Sequence, residues 1–437
     1  MSAATAARSP RDGAVLPRLL AGIHAAEPVT LSEHLGRLGP LPPGLWRQAP
    51  GLIELVEASG LRGRGGGWFP AGDKLRAVAA QGGRPIVVVN ALEGEPVSGK
   101  DKVLVRHAPH LVLDGAVAAA AALGARRALV AICEDAGPEQ HSLATAIAAR
   151  ERAGTDEGIS LSLARVPAGF VSGEETALVH FLNGGPVKPT ARPPLPFERG
   201  IAGAPTLVQN AETMAHLALI ARNGPAWFRA VGTDTEPGST LVTLSGAVRN
   251  PGVFELAIGT ALSSVIERAG GVNERPSALL VGGYFGTWVP AVRAESLRLS
   301  EVDLRRVGAR LGAGAITVLP GSACGVAETA RVARYLARES AGQCGPCVHG
   351  LAAVADSLTR LTGGERVAGE RADGPRELER LLRMVEGRGA CRHPDGAVGF
   401  VRSALEVFSQ ELELHVRGKR CDPGASAILP VPRKERT

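Results

Sequence analysis

Aromatic residues are scarce in this 437-residue chain, with nine Phe, four Trp and two Tyr, while 21% of residues are charged, a balance that fits a soluble globular protein. Cysteine is scarce too. Six cysteines, with no apolar run around Arg8, Arg11 and Asp12 to suggest a secretory signal, exclude an exported disulfide scaffold. They point to a reducing cytoplasm, where thiols serve as ligands or core residues. No hydrophobic run is long and clean enough to span a bilayer, because the most apolar stretch, Leu111 to Cys133, is interrupted by Asp114, Arg126 and Arg127. Nor is positive charge concentrated: the net charge of +6 is spread along the sequence except at Arg433-Lys434-Glu435-Arg436, which reads as a solvated terminus. That excludes a nucleic-acid groove.

The length sets a prior of two to four domains. Between Arg84 and about Leu182 strand and helix patterns alternate: strands at Ile86–Val89, Ala128–Cys133 and Ser160–Val166, helices at Pro109–Leu123 and about Glu139–Arg152. This order predicts a doubly wound α/β sheet, with functional loops at the strand C-termini. After about Gly232 the pattern changes. Leu241–Leu244 and Val253–Leu256, flanking a turn at Arg249-Asn250-Pro251-Gly252, read as a hairpin, and with Ala278–Gly283 they predict a small mixed domain. From Val326 the pattern is helical, and Val398, Val401, Leu405, Phe408 and Leu412 predict one stripe on a single long helix.

Three features carry chemistry. The first is Gly60-Leu61-Arg62-Gly63-Arg64-Gly65-Gly66-Gly67-Trp68-Phe69-Pro70, followed by Lys74, where glycines let backbone N–H groups approach a phosphate and the cations add charge. It is neither the dinucleotide fingerprint nor a Walker loop. The second is a pair of acidic strand-end loops, Asn90-Ala91-Leu92-Glu93-Gly94-Glu95-Pro96 and Phe170-Val171-Ser172-Gly173-Glu174-Glu175-Thr176. Glu174 and Glu175 also suit a helix N-terminus. The third is Cys344-Gly345-Pro346-Cys347 with a distant Cys391. A Cys-x-x-Cys pair serves as a redox dithiol, a zinc half-site or part of an iron–sulfur cage, and no second Cys-x-x-Cys completes a zinc ribbon. Cys133 and Cys324 read as buried filler.

Taken together with Pro205-Thr206-Leu207-Val208-Gln209-Asn210-Ala211-Glu212-Thr213, these ordered motifs make Gly60 to Val416 resemble the NADH-binding flavoprotein subunit of respiratory complex I. That family is shared with NAD-linked subunits of soluble hydrogenases and formate dehydrogenases. The resemblance implies an N-terminal extension (1–50), an FMN-binding α/β domain (51–232), a ubiquitin-like β-grasp middle domain (233–325), a helical bundle with an iron–sulfur site (326–420) and a tail (421–437). It further implies that Gly63, Arg64, Gly65, Gly66, Gly67 and Lys74 hold FMN, helped by Asn90, Glu93, Gly173, Glu174, Val208, Gln209 and Asn210. Phe69 would stack on NADH, and Glu95 and Glu175 would accept its hydrogen bonds. Cys344, Cys347 and Cys391 would ligate a four-iron–four-sulfur cluster.

The chain departs from the family at several positions. Leu92 stands for an aspartate, Ala77 and Leu195 for aromatics that would enclose the adenine, and Ala341 for the first cluster cysteine. A three-iron cluster, or a fourth ligand from His349 or Cys421, remains open. The implied function is oxidation of NADH through FMN, with electrons passed singly to a small thioredoxin-like or ferredoxin-type iron–sulfur partner, in a cytoplasmic protein peripheral to any membrane complex. The alternative is a scaffold that docks redox partners without flavin or cluster.

Overall fold

The structure is a computed structural model that describes residues 16–23, 27–42, 44, 51–156, 158–363, 374–419 and 427–432. Four short strands form the first sheet, the β-branched run β1 (Ile86–Asn90) with β2 (Arg127–Cys133), β3 (Ser160–Val166) and β4 (Thr206–Asn210). All pair in parallel in the order β3-β2-β1-β4. Both faces are covered. Along β1, Val87 and Val89 enter one apolar cluster while Ile86 and Val88 enter another, the two-residue period of a sheet packed on each side. The predicted doubly wound order is therefore realised.

The principal cluster lies under helices Pro109–Leu123 and Ala211–Arg229. They approach so closely that a Cβ at Gly115 would overlap the Met214 carbonyl, so only glycine fits there. One charge is built into this apolar layer. Asp114 accepts from His34 Nε2 at 2.7 Å and pairs with Arg150 Nη1 at 2.8 Å and with Arg222 Nη2. His34 comes from helix Leu31–Leu38, which a Thr30/Glu33 capping box starts, so this stretch of the N-terminal extension docks on the α/β layer.

The second sheet runs β6-β5-β9-β7-β8, from β5 (Ser239–Gly246), β6 (Gly252–Ala257), β7 (Pro276–Val281), β8 (Thr287–Pro290) and β9 (Ala315–Pro320). β5 and β6 form the predicted antiparallel hairpin, and β5 pairs in parallel with β9 at the centre. This is the small mixed domain. The remainder is helical, from Gly325–Arg338 through Leu351–Gly363 and Gly374–Val385 to His393–Val407 and Ser409–Val416. No helix among the described residues is long and apolar enough to cross a membrane.

Two expectations are corrected. The apolar stripe from Val398 to Leu412 is carried by two helices that meet at Phe408, whose φ of −104° leaves the helical range. Its ring packs edge-on against Trp288 with centroids 5.1 Å apart, and holding it there breaks the helix. Cys324 is not core filler. It is the N-cap of helix Gly325–Arg338, its sulfur accepting from Ala327 N–H at 3.4 Å and touching His415 Nε2 at 3.2 Å. Cys133 is buried as expected.

Burial alone would push the Asp114 carboxyl up, but the His34 hydrogen bond and the Arg150 and Arg222 charges outweigh it and hold the group below its ordinary value of 3.8. A depressed folded-state value means stability that is present above the ordinary value and lost as pH falls through the folded one. Asp114→Ala should cost about 3–5 kcal/mol at pH 7, the range for removing one partner of a buried ion pair. Urea melts should also show a smaller loss of stability on acidification below pH ~4 in the variant than in the wild type.

Candidate functional site

The strand order reverses beside β1: β2 and β3 lie on one side of it, β4 on the other. A doubly wound sheet binds ligands outside the strand C-termini at such a switch point. The two strand ends there are Asn90 and Asn210, directly paired in register. A cavity of about 900 Å3 opens above them, at the large end of the range of roughly 300–1,000 Å3 typical of ligand pockets.

The glycine loop forms one wall. It closes on itself through Gly63 N–H to Phe69 O at 2.8 Å and Ala71 N–H to Leu61 O at 2.9 Å. This presents Arg64, Gly65, Gly66 and Gly67 to the cavity. Gly66 has φ +100°, a conformation side chains rarely adopt, and lies near the Gly312 carbonyl of the second domain. Trp68 is buried in the second domain's core at φ +52°, with the Arg64 guanidinium 4.4 Å over its ring. Arg64 Nη2 donates to Ser239 O at 3.0 Å and Nε faces the Glu212 carboxylate at 3.8 Å, while Nη1 is buried without a hydrogen-bond partner. Desolvation lowers this guanidinium to about 10. An orphaned buried donor on a cavity wall suits an anion such as a phosphate.

The floor is a charged network. Lys100 Nζ meets Asp101 Oδ1 at 2.8 Å, Glu212 Oε2 at 3.0 Å and Asn210 Oδ1 at 3.4 Å, and Asn210 Nδ2 donates to Asp101 Oδ2 at 2.6 Å. Burial would lift Glu212, but Lys100, His216 and Arg64 bring it down to about 2. Asp101 goes the other way. Desolvation outweighs Lys100 and raises it to about 6. Glu93 accepts from Ser98 Oγ and from the Asp101 and Lys102 N–H groups at 3.2 and 3.0 Å. Glu95 accepts from Tyr284 N–H at 2.8 Å, and desolvation raises it to about 8. Leu92 also lines the cavity, adding an apolar patch to this polar wall.

Of the residues singled out in the sequence, the cavity thus brings together Arg64, Gly65, Gly66, Gly67, Asn90, Glu93, Glu95, Gly173 and Asn210. The others stand around it. Gly63, Val208 and Gln209 lie behind the glycine loop, in the loop's closure and in β4. Lys74 pairs with Glu175 at 2.8 Å. Glu174 caps helix Glu175–Leu182, accepting from Thr176 and Ala177 N–H at 2.9 Å each, and pairs with Arg192. Phe69 is 59% exposed and does not line the cavity. Sequence reasoning missed Lys100 and Asp101, a few positions beyond the acidic loop, and Phe170, Phe285, Arg310, Arg392 and Asp395, which other elements deliver. For the first two, a Lys-Asp pair opening a helix after a strand-end loop was the available signal.

The thiols converge from separate segments. Cys344 precedes the turn Pro346–Gly350, and Cys391 precedes helix His393–Val407. Desolvation would raise Cys344, but hydrogen bonds from the Ala390 and Cys347 backbone and the Cys347 thiol lower it. Cys347 is pushed up to about 12 by desolvation and by Cys344, with Cys391 also contributing. Desolvation raises Cys391, which also feels Glu174 and Arg192. Among the described residues no three His, Cys, Asp or Glu side chains close around one metal ion. A cluster places its thiolates on different irons and so spans more than a single-ion site. His349 is exposed, and Cys421 lies outside the described residues. The thiol site also adjoins the cavity wall: Phe170 N–H donates to Glu339 at 3.3 Å and Gln343 Nε2 to Pro189 O at 2.9 Å.

Comparisons agree with this geometry. Residues 56–219 match the Nuo51 FMN-binding domain, 241–283 the SLBB domain, and 327–415 the NADH-ubiquinone oxidoreductase-F iron–sulfur binding region. A subunit of the NADH-quinone oxidoreductase of Rhizobium meliloti (strain 1021) is 34% identical over 382 residues, 85% of this chain and 90% of the relative. The corresponding NADH-quinone oxidoreductase subunit of Streptomyces coelicolor is 33% identical over 395 residues, 86% of this chain and 85% of the relative. Among solved structures, a chain of an NAD+-reducing NiFe hydrogenase in the air-oxidized state superposes with a TM-score of 0.78 at 32% identity; the match covers 88% of this chain and 65% of that one. The chain belongs to the family of NADH-binding flavoprotein subunits of NADH-quinone oxidoreductase, with an FMN-binding domain, an SLBB domain and a helical region for a four-iron–four-sulfur cluster, and is an NADH-oxidising electron-transfer protein.

Proposed function

We propose that the cavity at the β1/β4 switch point holds FMN and admits NADH, and that electrons leave through the three-cysteine site to a small thioredoxin-like or ferredoxin-type iron–sulfur partner within a larger redox complex. The observation that carries the reading is the buried Arg64 guanidinium, its Nη1 without a hydrogen-bond partner, on the wall of a cavity floored by Lys100 and Asn210. Arg64 and the N–H groups of Gly65–Gly67 would take the phosphate, and Asn90, Asn210 and Lys100 the polar edge of the ring. Bound FMN supplies a two-electron acceptor that releases electrons singly, and the cluster supplies a one-electron carrier. The protein's own part is to bind, orient and exclude water. No general acid is needed for hydride transfer, so the carboxylates act by position and charge. Glu174 and Lys74 would act at one remove, the first by holding the loop between cavity and Cys391, the second by fixing Glu175.

The FMN site is tested by Gly67→Asp. A Cβ at Gly67 meets nothing within 4 Å, so the fold should be unaffected, while the new carboxylate stands in the cavity. Flavin fluorescence quenching should show one FMN per wild-type chain, at least ~10-fold weaker binding in the variant, consistent with about 1.4 kcal/mol of repulsion, and an intermediate value for Gly67→Asn. No quenching by wild-type protein would leave the scaffold reading standing.

The cluster is tested by anaerobic purification with iron and sulfide assay and electron paramagnetic resonance. Cys391→Ser should lose iron, and Cys421→Ser should retain it. Iron-free wild type sinks the assignment, and reduction of quinone with NADH by the isolated loaded chain as fast as by a reconstituted complex overturns the dependence on an iron–sulfur partner.

Glu95 offers a pH test. Its folded-state value of about 8 lies above the ordinary 4.5, so the flavin-free fold binds the extra proton between those limits and loses stability as pH rises from ~5 to ~8. Thermal melts of Glu95→Gln should show a shallower decline over that window. An identical slope would mean that Glu95 titrates normally.

A further inference from the structure

The acidic loop after β1 lines the cavity with Asn90, Glu93, Gly94 and Glu95, and with one side chain of a different kind, Leu92. Among the described lining residues the other apolar side chains are Phe170, Phe285 and Ala313, all from other segments. With Asp101 on the helix Lys100–His107 that follows, Glu93 and Glu95 make this part of the wall rich in carboxyls. Leu92 is an uncharged gap in it.

The place of Leu92 is fixed by packing and by hydrogen bonds. Its backbone N–H donates to Asn90 Oδ1 at 3.2 Å, and Asn90 Nδ2 donates to Gly173 O at 2.8 Å, which ties the two strand-end loops together. The loops touch here, since a Cβ at Gly173 would lie 3.7 Å from Leu92 Cβ. Only 8% exposed, the side chain also belongs to the apolar cluster of Val88, Leu178 and Val208. It thus stands beside Asn90, the residue read above as a contact to the flavin ring edge.

Charge at that point bears on the reaction itself. Hydride transfer, NADH + FMN → NAD+ + FMNH−, moves two electrons and one hydrogen to the flavin and leaves one negative charge on its ring. A carboxylate within a few ångströms opposes that charge, and burial leaves the repulsion poorly screened. An aliphatic side chain adds no such opposition.

We propose that Leu92 is a determinant of the flavin's redox poise: by keeping the loop position beside Asn90 uncharged, it favours reduced FMN and so draws hydride from NADH. This rests on the reading of the cavity as an FMN site. The test is an anaerobic reductive titration of the FMN-loaded chain with mediator dyes, followed at the flavin absorbance band, so that nicotinamide binding does not enter. The Kd for oxidised FMN is measured in parallel by fluorescence quenching.

At a fixed potential the ratio of reduced to oxidised flavin should fall about tenfold in Leu92→Asp, equivalent to ~30 mV for a two-electron couple. Leu92→Asn, matched to aspartate in size but uncharged, should stay within about threefold of the wild type. An unchanged midpoint in Leu92→Asp overturns the proposal, as does an equal shift in Leu92→Asn, which would make polarity or packing the cause. If Leu92→Asp retains no flavin, Leu92→Lys decides: the ratio should rise, and a fall or no change overturns the proposal. Wild-type protein that binds no FMN would instead remove the reading of the cavity, and the role of Leu92 with it.

Discussion

A single buried carboxylate ties the active cavity to the architecture. Glu212, fully buried at the start of helix Ala211–Arg229, receives Lys100 Nζ at 3.0 Å and lies 3.8 Å from Arg64 Nε. It also accepts Thr240 Oγ1 at 3.0 Å and Leu241 N–H at 2.8 Å from β5 of the SLBB domain. A carboxylate in low dielectric is tolerable only with such a full set of partners. Satisfying it draws the glycine loop, the helix after the acidic loop and the second sheet onto one point. The cavity is the space left above that convergence.

The three regions are joined by specific contacts rather than packed as independent modules. Trp68 leaves the glycine loop to enter the SLBB core, Glu255 of β6 caps the Arg18, Leu19 and Leu20 N–H groups, and Glu339 and Gln343 fasten the cysteine segment to the α/β domain. The Glu255 contacts to Arg18 and Leu19 are buried, so their loss would leave backbone N–H groups unmet. The cavity and the thiol site share the loop from Phe170 to Glu174.

The charged floor also sets the chemical character of the site. Lys100, Asp101, Glu93 and Glu212 lie within a few ångströms of one another, and their burial drives Asp101 up to about 6 while the cations bring Glu212 down to about 2. Both are mostly ionised at pH 7, and it is Glu95, raised to about 8, that adds a mostly neutral carboxyl to the same wall. That mixture suits a ligand carrying both anionic phosphate and hydrogen-bonding ring edges.

Much was legible in the sequence because it is local. Alternating β-branched runs and helical periodicity determine the two layers over the parallel sheet, the Asn-Pro-Gly turn determines the β5/β6 hairpin, and the glycine loop and Cys-x-x-Cys announce their chemistry through residue type and spacing. Tertiary structure decided the rest, since the deciding contacts join residues far apart in the chain. Only the fold shows that Asn90 and Asn210 are neighbours, that Lys74 and Glu174 are occupied by Glu175 and Arg192, and that Cys391 reaches Cys344 and Cys347. Only packing breaks the last helix at Phe408 and makes Cys324 a cap.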